Sequence, residues 1–547
     1  MLQVILRKIS RYYESGNRWW LPIVSGLLFS LSLPPFNSML HPLFTPFPLL
    51  SFVALVPLFF FATRRPRKKA LSHSYIYSVF MALGQYYWIG FVTAEGLWAI
   101  ILVGVALISM AVGVFYFSAA LLFRLTRRFL PRMYILVFPA VWVLIEYSRT
   151  LSDISFPWSL LGYSSVGFLP LAQFSAFTGV WGLSFLIVLG NIFIWELLLS
   201  LRTNENIQQK WIHCCVWGAL VVGIVGWGMF RMGKDPEPQG EMKVSLLQSH
   251  MDQFNWADNS IDSAFTISES MIDEAAVEKP DLIVFPESGL LCFLDRKISY
   301  RRKAMSWVKK TGIPFIVGAL HWDKASEGSP YEYDVYNTAF LVQSDRLIPY
   351  HKIRLVPFSE GMPFEAQFPI LSRVNLGEAD FMRGTEETVF EIGENIKAAP
   401  YICYEIIYPS FVQRRLEKST NLLVNVTNDG WFGRTSGPYQ HAAMAQMRSI
   451  ENGISLVRSA NSGISMFVDP FGRVLSRTGL YERAILTHTV PESRIHTFYS
   501  QYGDWFVSLC ALIVLVGAFG AFLFRKRPDG VITRPLLVEE QKLAPNH

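Results

Sequence analysis

Eight apolar runs constrain this chain more than any other feature, each close to the ~20 residues a helix needs to cross a bilayer core. Seven lie in the first 235 residues, near Trp19–Phe36, Phe44–Ala62, Leu71–Val92, Gly96–Phe123, Met133–Tyr147, Val180–Leu199 and Trp211–Phe230. The eighth is Trp505–Phe524. The fifth run is short, and the third is polar at Gly84, Gln85 and Tyr86. Composition agrees: 51% of residues are hydrophobic and 17% charged, where a soluble chain carries about 25% charged. Disordered, collagen-like and disulfide-scaffold classes are excluded. The first run, preceded by Arg7, Lys8 and Arg11, imitates a signal peptide. It ends in Pro34-Pro35-Phe36 rather than a small-x-small cleavage site, so a retained anchor is expected.

Basic residues orient the runs. With a cytoplasmic N-terminus, the inside segments carry Arg7 to Arg18, Arg64 to Lys69, Arg124 to Arg132, Arg202 with Lys210, and Arg525 to Lys542. The short outside loops carry only Arg149. This asymmetry predicts seven helices within residues 1–235, an eighth over 503–525, and a cytoplasmic tail from 526 to 547. An odd number of crossings then puts the middle segment outside the cytoplasm.

That segment differs in character. Residues 1–235 hold 18 Lys/Arg against 7 Asp/Glu, whereas residues 236–500 hold 26 against 32. The basic excess therefore sits beside the apolar runs, and no basic patch interleaved with aromatics marks a nucleic-acid surface. Five cysteines, without a CxxC pair or a Cys/His cluster, give no metal-site pattern and imply no metal or other cofactor. After a Pro236–Gly240 linker, short apolar runs bounded by turn residues predict strands. These are Lys243–Gln248, Asp281–Pro286, Pro314–Leu320, Tyr336–Val342, Tyr401–Tyr404 and Leu422–Thr427. Helical stretches at Ile261–Val277, Ile298–Thr311, Ser410–Lys418 and Tyr439–Asn452 alternate with them. Such alternation predicts a layered α/β domain over residues 240–495.

Three residues there have chemistry to offer. Glu287 follows the strand Leu282-Ile283-Val284-Phe285, at a strand's C-terminal edge where α/β sites lie. Cys403 ends another strand and precedes a helix opened by Pro409; a helix start lowers a thiol's pKa. Lys352 lies in His351-Lys352-Ile353-Arg354. Taken singly, each has an ordinary reading as a cap, a core thiol or a solvated lysine.

Together, the segments Phe-Pro-Glu287-Ser, His-Lys352-Ile-Arg-Leu-Val-Pro-Phe and Ile-Cys403-Tyr-Glu405 resemble the three signature segments of the nitrilase superfamily, in order. That resemblance implies an αββα sandwich with a Glu–Lys–Cys triad. Asn428-Asp429-Gly430-Trp431-Phe432-Gly433 and the helix through His441, Arg448 and Glu451 also match, most of it reading as turn and helix-face structure. With the eight apolar runs added, the whole chain resembles the apolipoprotein N-acyltransferase family of bacterial lipoprotein maturation. The fold implied is a transmembrane bundle of about eight helices carrying a nitrilase-like domain on the periplasmic face of the inner membrane. The resemblance makes Glu360, eight residues after Lys352, a second essential glutamate, and Trp256 an aromatic near the acyl chain. Tyr404, Glu405 and Trp431 join them as substrate-binding residues. Ser359 and Gly361, and Ala399-Pro400 ahead of Cys403, depart from the family's usual residues.

The activity implied is acyl transfer from a phospholipid donor in the bilayer to the α-amine of a diacylglyceryl-modified apolipoprotein, through a Cys403 thioester. Glu287 would move the protons and Lys352 would hold the oxyanion, with Glu360 and Glu405 orienting Lys352 or the amine. The apolar stretch from Val356 to Pro369 would be an arm facing the membrane. A membrane-tethered amidase or nitrilase would keep the same triad but leaves eight helices without a use. An inactive scaffold would not be expected to retain all three residues.

Overall fold

The computed structural model describes residues 19–33, 47–63, 66–91, 98–234, 240–251, 261–325, 332–365, 367–368, 381–417, 419–492 and 494–525. The described part of every apolar run is helical, with one break at Leu55. Among the described residues, Gly104–Phe129, Val180–Thr203, Ile207–Met232 and Trp505–Leu523 are long and apolar enough to cross a membrane. Shorter apolar helices cover Trp20–Ser32, Leu49–Thr63 and Tyr134–Ser148, and the polar third run forms Arg67–Tyr86. Val222 and Leu515 are 71% and 67% exposed on two of the long helices. Apolar surface of this kind, on helices whose backbone is internally bonded, is suited to lipid.

The second run breaks at Leu55, two residues before Pro57, giving helices Phe47–Ala54 and Val56–Thr63. A fully buried amide fills the break. Asn191 Nδ2 donates to the Ser51 carbonyl at 2.7 Å, and its Oδ1 accepts the Leu55 N–H at 2.8 Å. The two groups that would have bonded each other are thus satisfied by one side chain, which a dry bundle requires.

Residues 240–492 form two six-stranded sheets. The first runs in the order β12 (Ala484–Pro491), β1 (Glu241–Gln248), β2 (Leu282–Val284), β3 (Phe315–Lys324), β4 (Tyr333–Val342), β5 (Leu347–His351). The second runs β11 (Val474–Arg477), β10 (Met466–Val468), β9 (Ser455–Ala460), β8 (Leu422–Thr427), β7 (Ile396–Ile402), β6 (Phe390–Ile392). Strands β1–β3 and β7–β9 are parallel, and the flanking strands antiparallel.

Alternation along each strand makes the layers. Val244, Leu246, Leu282, Val284, Ile316, Ala339 and Leu341 join the core shared with the second sheet. Their neighbours Leu247, Ile283, Phe285, Phe315, Val317 and Phe340 pack outward under the helices Ile261–Ala276 and Ile298–Thr311. Burial of both faces explains why these strands read as unbroken apolar runs. On the outer side of the second sheet, the helix Gly437–Asn452 meets the bundle. Gln440 Oε1 accepts from Trp88 Nε1 (2.9 Å) and Trp158 Nε1 (2.7 Å). Further along, Arg448 bonds Tyr163 and Glu451, and Glu451 accepts the Val180 N–H at 2.9 Å. The expected helix-face pair is therefore a joint between the two parts of the molecule.

Candidate active site

Strand ends assemble the site. Glu287 follows β2, Lys352 follows β5 and Cys403 follows β7, and the three are only 6%, 0% and 9% exposed. Lys352 Nζ donates to Glu360 Oε1 at 2.7 Å and to Glu287 Oε1 at 3.3 Å. Asn337, on β4, donates from Nδ2 to the same two oxygens, at 2.8 Å for Glu287 and 3.2 Å for Glu360. The other oxygen of each carboxylate is held by backbone. The Asn428 N–H donates to Glu287 Oε2 and the Val356 N–H to Glu360 Oε2, both at 2.9 Å. Gly318 makes room for this turn: a Cβ there would lie 2.6 Å from the Glu287 Cα.

Cys403 has φ +48°, a left-handed conformation that costs a non-glycine residue about 1–3 kcal/mol. Its carbonyl is held by His441, whose Nε2 lies 3.1 Å away and whose Nδ1 lies 2.9 Å from Asp429 Oδ1. Arg458 bonds the second Asp429 oxygen at 2.7 Å. His441, Asp429 and Arg458 are all fully buried. Residues 427–429 at the end of β8 thus serve both partners: Asn428 holds Glu287, and Asp429 holds Cys403 through His441.

The charges are unequal in effect. Burial alone would depress Lys352, but Glu287 and Glu360 outweigh it and keep the ammonium well above its ordinary pKa. Burial and then the Glu287 charge push the Cys403 thiol up, and Lys352 offsets only part of that. The expectation of a thiol lowered by the following helix is therefore wrong. Only a 3₁₀ turn, Cys403–Ile407, starts there, and burial dominates it. The resting group is a thiol, and a base is needed to make it a nucleophile. Burial would raise Asp429, yet Arg458 and His441 hold it at about 2. Burial and Arg458 push His441 down.

The carbon–nitrogen hydrolase family pattern matches residues 244–499, and the apolipoprotein N-acyltransferase N-terminal domain pattern matches residues 25–193. The apolipoprotein N-acyltransferase of Geobacter metallireducens is 30% identical over 511 residues, covering 92% of this chain and 95% of its own. The chain belongs to the apolipoprotein N-acyltransferase family. A Chlorobaculum tepidum relative of the same name is 30% identical over 536 residues, with 93% and 97% covered. The Haemophilus influenzae one is 31% identical over 399 residues, with 71% and 75% covered. Among solved structures, a nitrilase-superfamily protein of Saccharomyces cerevisiae aligns with TM-score 0.36 and 16% identity, over 46% of this chain and 91% of that one. An amidase from Nesterenkonia sp. aligns with TM-score 0.36 and 18% identity, over 50% and 98%. The chain is a membrane-embedded acyltransferase with a nitrilase-like domain.

The other expected residues divide. Glu360 lies in the cluster. Glu405, fully buried, bonds Tyr350 and the backbone N–H groups of Ile353 (2.7 Å), Arg354 (3.1 Å) and Ile402 (2.8 Å). It therefore ties the lysine loop to the cysteine strand. Tyr404 points to the bundle, donating to the Ser155 carbonyl at 2.7 Å with its ring stacked on Phe156. Trp431 sits in the 3₁₀ turn Asp429–Phe432, and Trp256 lies outside the described residues. In the expected arm, Phe358 is 50% exposed, while the Phe364 N–H is tied to Asp153 of the bundle at 3.1 Å; residues 369–380 lie outside the described part. Sequence reasoning missed Asn337 and Arg458. Their signal was a polar residue inside an otherwise buried strand, which requires a partner.

Proposed function

We propose that this acyltransferase moves an acyl chain from a membrane phospholipid to the N-terminal amine of a diacylglyceryl-cysteine apolipoprotein, with Cys403 as nucleophile. Glu287 takes the thiol proton as sulfur attacks the ester carbonyl, and Lys352 stabilises the oxyanion. The tetrahedral adduct collapses to a Cys403 thioester, and Glu287 returns the proton to the departing lysophospholipid alkoxide. The acceptor amine then attacks the thioester and loses its proton to Glu287. The amide leaves, and the proton regenerates the thiol. Asn337, Glu360 and the Asn428 N–H keep Glu287 and Lys352 in place. Glu287, Lys352 and Cys403 are the catalytic residues in this reading; Glu360 and Glu405 keep the lysine loop in place, Tyr404 anchors the cysteine turn to the bundle, and Trp256 and Trp431 are assigned to substrate binding.

One observation carries the reading: Lys352 is held between two carboxylates in a buried cluster whose charges act directly on a raised Cys403 thiol. The bundle gives it a physical setting. Drawing a sixteen-carbon chain into water would cost on the order of 10 kcal/mol at ~0.8 kcal/mol per CH₂, so the chains stay in lipid while the ester reaches the site. All eight apolar runs cross the inner membrane, the first seven within residues 1–235, with residues 240–495 on the periplasmic side. Reconstitution with phospholipid and a diacylglyceryl-cysteine peptide tests this. N-acyl peptide should accumulate in step with lysophospholipid. Phospholipid hydrolysis without N-acyl peptide would overturn it.

A further inference from the structure

A half-buried arginine beside the site forms no salt bridge among the described residues. Arg354 follows Lys352 by two residues, and its backbone N–H donates to Glu405, whose other oxygen accepts the Ile402 N–H next to Cys403. One carboxylate thus fixes this arginine's backbone against the cysteine strand. Its guanidinium carbon sits 5.6 Å from the ring centres of both Tyr408 and Phe411. Cation–π contact of this kind orients the planar group without neutralising it. Among the described residues the guanidinium makes no ion pair or hydrogen bond, and its Nε is buried without a partner. Asp153 feels the Arg354 charge but makes its direct bonds to Arg383 at 3.0 Å and to the Phe364 N–H at 3.1 Å.

The surroundings say what kind of anion fits. Tyr408, under the guanidinium, bonds Ser155 at 2.9 Å in the loop that follows the membrane helix Tyr134–Ser148. Leu151 and Ile154 of that loop are 52% and 51% exposed. A planar cation without a salt bridge therefore stands beside exposed apolar loop residues suited to a bilayer surface, where phosphates are the abundant anions. Arginine's fork suits phosphate oxygens in particular.

We propose that Arg354 binds the phosphodiester of the membrane lipid that donates the acyl chain, fixing its glycerol so that the ester faces Cys403. The assignment rests on the acyl-donor reading above. The test uses the full chain in detergent and follows Cys403 acylation by intact-protein mass spectrometry with two donors. Phosphatidylglycerol carries the phosphate; p-nitrophenyl palmitate offers an ester without one. Arg354→Gln should raise the phosphatidylglycerol KM roughly tenfold while leaving p-nitrophenyl palmitate acylation within about twofold, with Arg354→Lys between. Equal loss with both donors would overturn the assignment, because Arg354 would then be holding the lysine loop. No loss with either would also overturn it. Competition by inorganic phosphate as strong as that by lysophosphatidylglycerol would reassign the site to free phosphate. Wild-type protein acylated by p-nitrophenyl palmitate but not by phosphatidylglycerol would refute the donor reading, and this assignment with it.

Discussion

Gly318 offers a test of how tightly the site is held, because it lies outside the chemistry. A Cβ there would meet the Glu287 Cα at 2.6 Å, the Ser288 N at 2.7 Å and the Pro286 O at 2.8 Å, all backbone atoms that cannot swing aside. Ordinary contact begins at 3.4–4 Å, so in Gly318→Ala the turn bearing Glu287 must retreat by about 1 Å. A displacement of that size typically costs about 10²-fold in rate, or roughly 2.7 kcal/mol. The assay is single-turnover acylation of Cys403, with thermal unfolding and alkylation of Cys403 as controls. We expect acylation to slow about a hundredfold while the folded protein remains alkylatable. A folded variant acylating within threefold of wild type, on the order of 0.7 kcal/mol, would show that Glu287 need not be held as described.

Charge reversal of influence should separate Glu287 from Lys352: the Glu287 charge raises the Cys403 thiol and Lys352 lowers it. Glu287→Gln should therefore speed iodoacetamide alkylation at fixed pH and Lys352→Met should slow it, although both abolish acyl transfer; the same sign for both would contradict the electrostatics. Asp429, depressed from 3.8 to about 2 and fully buried, contributes stability that is present above pH 4 and lost as pH falls through 2. That linkage is worth about 2 kcal/mol, so the wild-type Tm should drop across this window and that of Asp429→Asn should be flatter. For topology, with Cys214 and Cys215 replaced, a thiol at Lys309 should react with an impermeant maleimide from outside. One at Glu205 should react only after permeabilisation, and the opposite pattern would reverse the orientation.

Much of this arrangement is legible in the chain because it follows from burial. The strand Leu422–Thr427 and the helix Ile298–Thr311 fall where the apolar runs and breakers put them. Strands β1 and β4 begin two or three residues earlier than expected, since their polar ends Glu241 and Tyr333 are held by pairing with Pro491 and Lys324. Strands β5, β6 and β9 to β12 have no counterpart among the expected runs: β5 and β6 are short, β9 carries Arg458 in its middle and β11 is solvated, so none shows a clean period. The positions of Glu287 and Cys403 at strand ends could be read from their flanks, whereas Lys352 follows a strand, Leu347–His351, that the sequence did not suggest. What could not be read were groups satisfied only in three dimensions, such as Asn191 across a helix break and Asn337 between two carboxylates. The protonation of Cys403 was misjudged for the same reason: burial is a property of the packed domain, and it outweighs the local helix start.

The covalent step is open to direct measurement. Intact-protein mass spectrometry after incubation with phosphatidylglycerol should show one added acyl chain on wild-type protein, mapped to Cys403 and discharged by a diacylglyceryl-cysteine peptide. Cys403→Ala should show none. An alanine variant that still N-acylates the peptide, or an adduct on Cys292 instead, would contradict the mechanism.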